Sequence, residues 1–286
     1  MELFLQILNT VLPFLYAALV WVFAELFFRT GSAERPNKVK RWFPLVFATL
    51  TLHALYIGTY TVHVGHCLLA TIWELSSLIA FTLLSIYAFV ELRVTREASG
   101  TGFLVTLVAF IFQSASSLFV STTSTLEGAL ILKDPIFNVH VTTAVFGYAA
   151  LTLASIYGAL YLLLFRAITR NQFGAVYQHL PSLERLERYG IRSTAIGFVF
   201  LTISIALGWV LMQHYPISPS VGGFILDPKI LATLLVWAVF GITLVVRKIA
   251  RVEGRKLVLF WMSGFALTVI SMTIVNALGT TFHNFN

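Results

Sequence analysis

The histidines are the side chains of this sequence best suited to chemistry. There are seven in 286 residues, and most stand at or near the ends of long apolar segments. A neutral imidazole can bind a metal ion or the iron of haem through a nitrogen lone pair. Several imidazoles on one side of a membrane would therefore indicate a metal or haem site. Those at the ends that the charge pattern places outside are His63, His66, His140, His214 and His283.

The apolar segments that must position these histidines are long enough to cross a membrane. The chain is 58% hydrophobic and 11% charged, with a mean hydropathy of +0.87. A helix needs about 20 apolar residues to cross a bilayer, and eight segments qualify. The sequence thus predicts an all-α, polytopic membrane helix bundle with about eight transmembrane helices, forming a single domain over 1–286. The spans are about 3–26, 42–62, 73–92, 102–122, 139–165, 191–212, 230–248 and 257–278.

The basic residues predict the orientation of these spans. Seventeen of the nineteen Lys and Arg residues lie in alternate connections, and only Lys133 and Lys229 lie on the other side. Short loops rich in Lys and Arg stay in the cytoplasm. We therefore expect both termini outside and a multi-pass protein of the cell's inner, cytoplasmic membrane. The net charge of +7 reflects this topology and does not indicate nucleic-acid binding.

The cysteine count excludes several redox functions. Cys67 is the only cysteine, so the chain has no internal disulfide, no dithiol pair and no C-x-x-C-H haem attachment site. A nucleotide-binding P-loop and a dinucleotide fingerprint are also absent from the sequence.

His53 lies near the middle of the second span. An imidazole in hydrocarbon must face the bundle and find a partner, and that partner is either a neighbouring helix or a metal centre. Nearer the span's outer end, His63 and His66 would share a helix face if the helix continued, but two histidines alone are a weak metal motif. Glu74 then opens the third span, either as an anion at a helix N-terminus or as a partner of an outer histidine.

Two histidines that are far apart in sequence lie at the predicted outer ends of two different spans. His140 opens the fifth span and His283 follows the eighth, so both could serve one porphyrin or simply be solvated. Asp227 precedes Pro228 and is expected to cap a helix. His214 is expected to be a wetted loop residue, and His179 lies on the cytoplasmic side.

Two further patterns concern packing. Ala150, Ala154 and Gly158 recur every four residues and predict close approach of another helix. The stretch LPSLERLERYGIRS is predicted to form a short amphipathic helix at the cytoplasmic surface, with Ser182 as its N-cap.

Several stretches in the same order resemble the cytochrome c assembly protein family, and the resemblance covers most of the chain. HALYIGTYTVHVGHCLLATIWELSSL is similar to the family's early histidine span, outer loop and glutamate. VHVTTAVFGYAALTLASIYGALYLLLF is similar to its second histidine span, and LPSLERLERYGIRSTAIGF to its cytoplasmic connector. DPKILATLLVW resembles the end of its tryptophan-rich loop, and NALGTTFHNF its terminal G-x-H segment.

The resemblance implies a non-covalently bound haem b. His53 would be an intramembrane ligand of the iron, and His140 and His283 an outer pair flanking a haem presented to an apocytochrome. Asp227, in the retained Asp-Pro-Lys, is a further candidate for cofactor binding. The implied partners are apocytochrome c and a second cytochrome c biogenesis membrane protein with an outer soluble domain.

Two departures bear on whether the chain is the membrane component of a cytochrome c synthase. SVGGFILDPKIL lacks the tryptophans and the glutamate of the family's motif, and GITLVVRK lacks a later intramembrane histidine. One alternative is a HemX-like accessory or regulatory membrane protein with no haem transfer of its own. Another is a proton-coupled transporter that uses His53, with Glu25 as the other ionisable residue well inside a helix.

Overall fold

A computed structural model describes most of the chain. The backbone is described for 2–29, 35–68, 71–93, 101–120, 134–172, 174–214 and 228–278, and side chains at some ends of these ranges are not. Asp227 and His283 lie outside the described residues, so their predicted roles stay predictions.

The described residues form helices and no strands, as the sequence predicts. Seven of the helices are long and apolar enough to cross a membrane, so the chain is a multi-pass membrane protein. The eighth predicted span lies within the last helix, whose side chains are described only in part. The helices are α1 (Glu2–Phe28), α2 (Arg35–Val64), α3 (Ile72–Tyr87), α4 (Gly102–Phe119), α5 (Pro135–Thr169), α6 (Ala175–His179), α7 (Leu183–His214), α8 (Pro228–Ile249) and α9 (Arg255–Leu278), with a π-helical turn at Ala88–Arg93 continuing α3.

The connection before α7 differs from the prediction. Its LPSLERLERYGIRS stretch is not a separate short helix, because α7 begins at Leu183, directly after Ser182, and runs unbroken to His214. The stretch from 183 to 214 contains no proline, so nothing interrupts the backbone hydrogen bonds. The short separate helix is α6, which precedes it.

Helix α5 lies at the centre of the bundle and packs against α3, α7 and α9. The predicted small-residue face is confirmed: Ala150 and Ala154 are fully buried. A Cβ atom added to Gly158 would lie 2.4 Å from Nε1 of Trp261 in α9. The missing side chain of Gly158 therefore lets α9 approach α5 closely.

The two histidine-bearing regions meet at one end of the bundle. Cys67 and Leu75, at the connection between α2 and α3, pack in one cluster with Val141 and Val145 near the start of α5. The N-terminal end of α5 also contacts the C-terminal end of α7 through Ser204. We refer to this end, which holds His66, Glu74 and His140, as the His140 end.

Candidate functional site

His53 is fully buried in α2 and both of its ring nitrogens are hydrogen-bonded. Nδ1 lies 2.9 Å from the Tyr16 hydroxyl of α1, and Nε2 lies 2.9 Å from Oγ of Ser77 in α3. The ring also packs edge-on against Phe81, with centroids 5.3 Å apart. Three helices therefore hold this imidazole, as expected for a polar group in hydrocarbon.

The hydrogen bonds continue from Ser77 into α4. The Ser77 hydroxyl donates to Oε1 of Gln113 at 3.0 Å, and Nε2 of Gln113 donates to Oγ of Ser117 at 3.0 Å. Gln113 is fully buried, so its amide orientation depends on these two bonds. Sequence reasoning did not find Tyr16, Ser77 or Gln113, although a lone glutamine within an apolar span is itself a signal.

His140 is held differently, at the start of α5. Its Nδ1 lies 2.8 Å from the main-chain oxygen of Ser204 in α7, and the Ser204 hydroxyl donates to the main-chain oxygen of His140 at 3.0 Å. Because a carbonyl oxygen only accepts, Nδ1 carries a proton, and in the neutral ring the lone pair is then on Nε2. Ligating histidines usually have this arrangement.

Gly208 makes room for the His140 ring. A Cβ atom added to Gly208 would lie 2.9 Å from Cε1 of His140, which is closer than van der Waals contact allows. The glycine thus lets the imidazole lie against the backbone of α7. Neither Ser204 nor Gly208 was identified from the sequence, because the pairing of α5 with α7 depends on the tertiary fold.

His63 and His66 do not form a pair. Helix α2 ends at Val64, and Gly65 takes a φ of +84°, a left-handed conformation that glycine adopts readily. The turn leaves His63 exposed on the helix and buries His66 in the connection. The common helix face envisaged for the two residues is therefore lost.

Glu74 fulfils both roles expected of it. It lies in the first turn of α3, where its main-chain N–H donates to Oγ1 of the N-cap Thr71 at 3.2 Å. Its carboxylate accepts from the Tyr60 hydroxyl at 3.1 Å and lies 3.8 Å from Nδ1 of His66. Because the carboxylate is buried, these groups replace the water it would otherwise bind.

The other two histidines lie apart from this arrangement. His214 is the exposed last residue of α7, and not a loop residue. His179 lines a cavity of about 790 Å³ together with Leu164, Tyr177 and Glu184. That cavity lies at the opposite end of α5 from His140, so it is not part of the site at the His140 end.

Single imidazoles are the groups among the described residues that could bind haem iron. The described part of the chain contains no group of three His, Cys, Asp or Glu side chains arranged for a metal ion, which leaves axial ligation by single imidazoles. His140 fits in its neutral form, in which Nδ1 donates to Ser204 and the lone pair is on Nε2. His53 fits only if Ser77 gives up the Nε2 contact. Near it, the buried Tyr56 hydroxyl has no hydrogen-bond partner among the described residues.

The sequence is similar to known proteins over almost its whole length. The sequence model of the cytochrome C assembly protein family matches residues 8–283. Protein HemX of Brevibacillus brevis is 27% identical over 279 residues, covering 95% of each chain. The cytochrome c biogenesis protein CcsA of Trieres chinensis is 24% identical over 299 aligned positions, covering 93% of this chain and 91% of that protein. This chain belongs to the cytochrome c assembly protein family.

Proposed function

We propose that this protein acts in cytochrome c biogenesis by binding haem b non-covalently and presenting it at the outer face of the cytoplasmic membrane. The observation that carries the proposal is the hydrogen bond made by Nδ1 of His140. Its Nδ1–H donates to the Ser204 carbonyl, so Nε2 is the nitrogen that would bind the iron. Bound haem would supply the iron that the imidazole coordinates and the vinyl groups that a cytochrome c attaches.

The roles of the other candidate residues follow from the family resemblance. His283 would be the second outer ligand beside His140, and His53 a ligand within the membrane. Asp227 directly precedes Pro228, the first residue of α8, and would help to shape the haem-binding loop. Apocytochrome c and a membrane protein with an outer soluble domain would be the partners, since the single cysteine leaves no dithiol with which this chain could keep apocytochrome thiols reduced.

The HemX-like role is the second candidate. It is favoured by the similarity to protein HemX over 95% of each chain and by the absence of tryptophan from SVGGFILDPKIL. In that role the protein would stabilise or regulate partner proteins without transferring haem.

Haem content distinguishes the two candidates. The protein would be purified in mild detergent from haem-replete cells, and haem per polypeptide measured for the wild type, His140→Ala and His63→Ala. His63 is the control, because it is exposed at the same end of the bundle. Haem in the wild type and in His63→Ala, with a loss of about tenfold or more in His140→Ala, is the expected result. A folded wild type that never contains haem would favour the accessory role.

A further inference from the structure

The cavity of about 790 Å³ at the far end of α5 has no part in the site at the His140 end. It is lined by the C-terminal end of α5, by α6 and by the start of α7. From His140 to Leu164, which lines the cavity, α5 rises by about 36 Å at 1.5 Å per residue. A ligand in the cavity is therefore separate from one bound at His140.

The cavity is large enough for a cofactor and is amphipathic. Pockets for molecules of that size have volumes of about 300–1,000 Å³. Leu164 and Pro181 in the lining are buried, whereas Tyr177, Gln178 and Glu184 are exposed. The lining thus suits a molecule with an apolar body and a polar edge. Haem has this form, because its ring and vinyl groups are apolar and its two propionates lie on one edge.

An imidazole lies in the same lining and is supported by aromatic rings. His179, the last residue of α6, lines the cavity and packs against Phe27 of α1, with ring centroids 5.7 Å apart. Phe27 in turn stacks on Phe103 of α4 at 6.2 Å. Helices α1 and α4 thereby hold this imidazole beside the cavity, and imidazole is a common axial ligand of haem iron.

We propose that this cavity is a second haem-binding site, in which His179 is the axial ligand and the propionates face the water. The choice of haem as the ligand rests on the proposed function. A phospholipid suits the cavity less well, since it has no atom for His179 to coordinate. None of the described residues in the lining is a lysine or arginine that would bind its phosphate.

The test measures haem affinity in the His140→Ala background, where the His140 ligand is absent. Full-length protein in detergent is titrated with haem and followed by absorption. Haem should bind with a histidine-type spectrum, and His179→Ala should weaken binding by about tenfold or more. His214→Ala is the control and should not change the affinity, because His214 is exposed at the other end of α7.

Metal-free protoporphyrin separates ligation from packing, because it has no iron for an imidazole to bind. If His179 is the ligand, His179→Ala weakens the binding of haem but leaves that of protoporphyrin nearly unchanged. Equal weakening of both would contradict ligation by His179.

Filling the cavity tests the site without relying on His179. Gln178→Trp adds a large side chain to the lining and should weaken the binding of both porphyrins. Gln172→Trp is the matched control, since Gln172 is also exposed but is not part of the described lining. Haem affinity in His179→Ala and Gln178→Trp equal to that in their controls would overturn the proposal, and a cavity occupied by lipid predicts that result.

Failure of this inference is distinguishable from failure of the proposed function. With both histidines otherwise intact, haem content that falls in His179→Ala but not in His140→Ala would contradict presentation at His140 and leave the second site standing. Haem content that falls only in His140→Ala would overturn the second site and leave the proposed function standing. If no folded variant binds haem, both fail.

Discussion

The imidazole of His140 donates from Nδ1 to the main-chain carbonyl oxygen of Ser204 at 2.8 Å, which ties the start of α5 to α7. In the neutral imidazole, this bond places the proton on Nδ1 and leaves the lone pair on Nε2. At His53 both ring nitrogens are hydrogen-bonded to side chains, those of Tyr16 and Ser77.

Replacing Gly208 by valine should weaken haem binding at His140. The Cβ atom would lie 2.9 Å from Cε1 of His140 and would push the ring away from the Ser204 carbonyl. We expect a drop in haem affinity of about tenfold, the lower end of the range for lost support of a metal ligand. The measurement is a haem titration followed by absorption. Gly58→Val is the control, because a Cβ atom at Gly58 meets nothing within 4 Å; an equal loss in both variants would contradict the assignment.

Replacing Gly158 by alanine should destabilise the bundle. Its Cβ atom would lie 2.4 Å from Nε1 of Trp261, and Trp261 is fully buried, so α5 and α9 would have to move apart. Overpacking of this kind costs about 1–3 kcal/mol, which a thermal unfolding experiment in detergent would detect as a lower Tm. Gly58→Ala should leave the Tm unchanged or raise it, since alanine is the better helix former. A Gly158→Ala variant as stable as the wild type would show that the contact between α5 and α9 is not rigid.

Replacing Glu74 by leucine should destabilise the connection between α2 and α3. The Tyr60 hydroxyl would lose its acceptor, and the buried His66 would lose the carboxylate 3.8 Å away. An unsatisfied buried polar group costs about 1–3 kcal/mol. Glu74→Gln keeps an acceptor for Tyr60 and should cost less. Thermal unfolding would rank the variants, and the account is wrong if glutamine and leucine are equally harmful.

Cys67 should react slowly with thiol reagents. Partial burial raises the pKa of its thiol, although a hydrogen bond from Thr61 acts in the opposite direction. Because only the thiolate is nucleophilic, a raised pKa means less thiolate at neutral pH and a rate that keeps rising to higher pH than for an ordinary thiol. The rate of iodoacetamide alkylation from pH 7 to 10 tests this, with glutathione as the reference. Thr61→Val should raise the pKa further and slow the reaction at neutral pH; a rate above that of glutathione would contradict the account.

The sequence predicts where the apolar spans lie and that a polar residue within a span must have partners. Hydrophobic length locates the helices, and the cost of an imidazole in hydrocarbon requires that His53 has partners. The choice of Tyr16 and Ser77 as those partners depends on how α1 and α3 pack, which local patterns do not determine. The proton on Nδ1 of His140 depends in turn on the Ser204 carbonyl of α7.

Local signals also failed where they competed with a stronger effect. The polar connector before residue 191 predicts a separate surface helix, yet α7 runs from Leu183 to His214 and no proline interrupts it. His63 and His66 were considered as one helix face, but Gly65 ends that face. In the second case the conformation of one residue decided the outcome.

Ligand replacement at His140 tests directly whether this histidine binds haem iron. The His140→Gly variant would be purified in detergent, and its haem absorption spectrum recorded before and after addition of imidazole. If His140 ligates the iron, the histidine-type spectrum is lost or shifted in the variant and returns when free imidazole occupies the vacated position beside Gly208. A His140→Gly spectrum identical to that of the wild type, with no response to imidazole, would contradict the account.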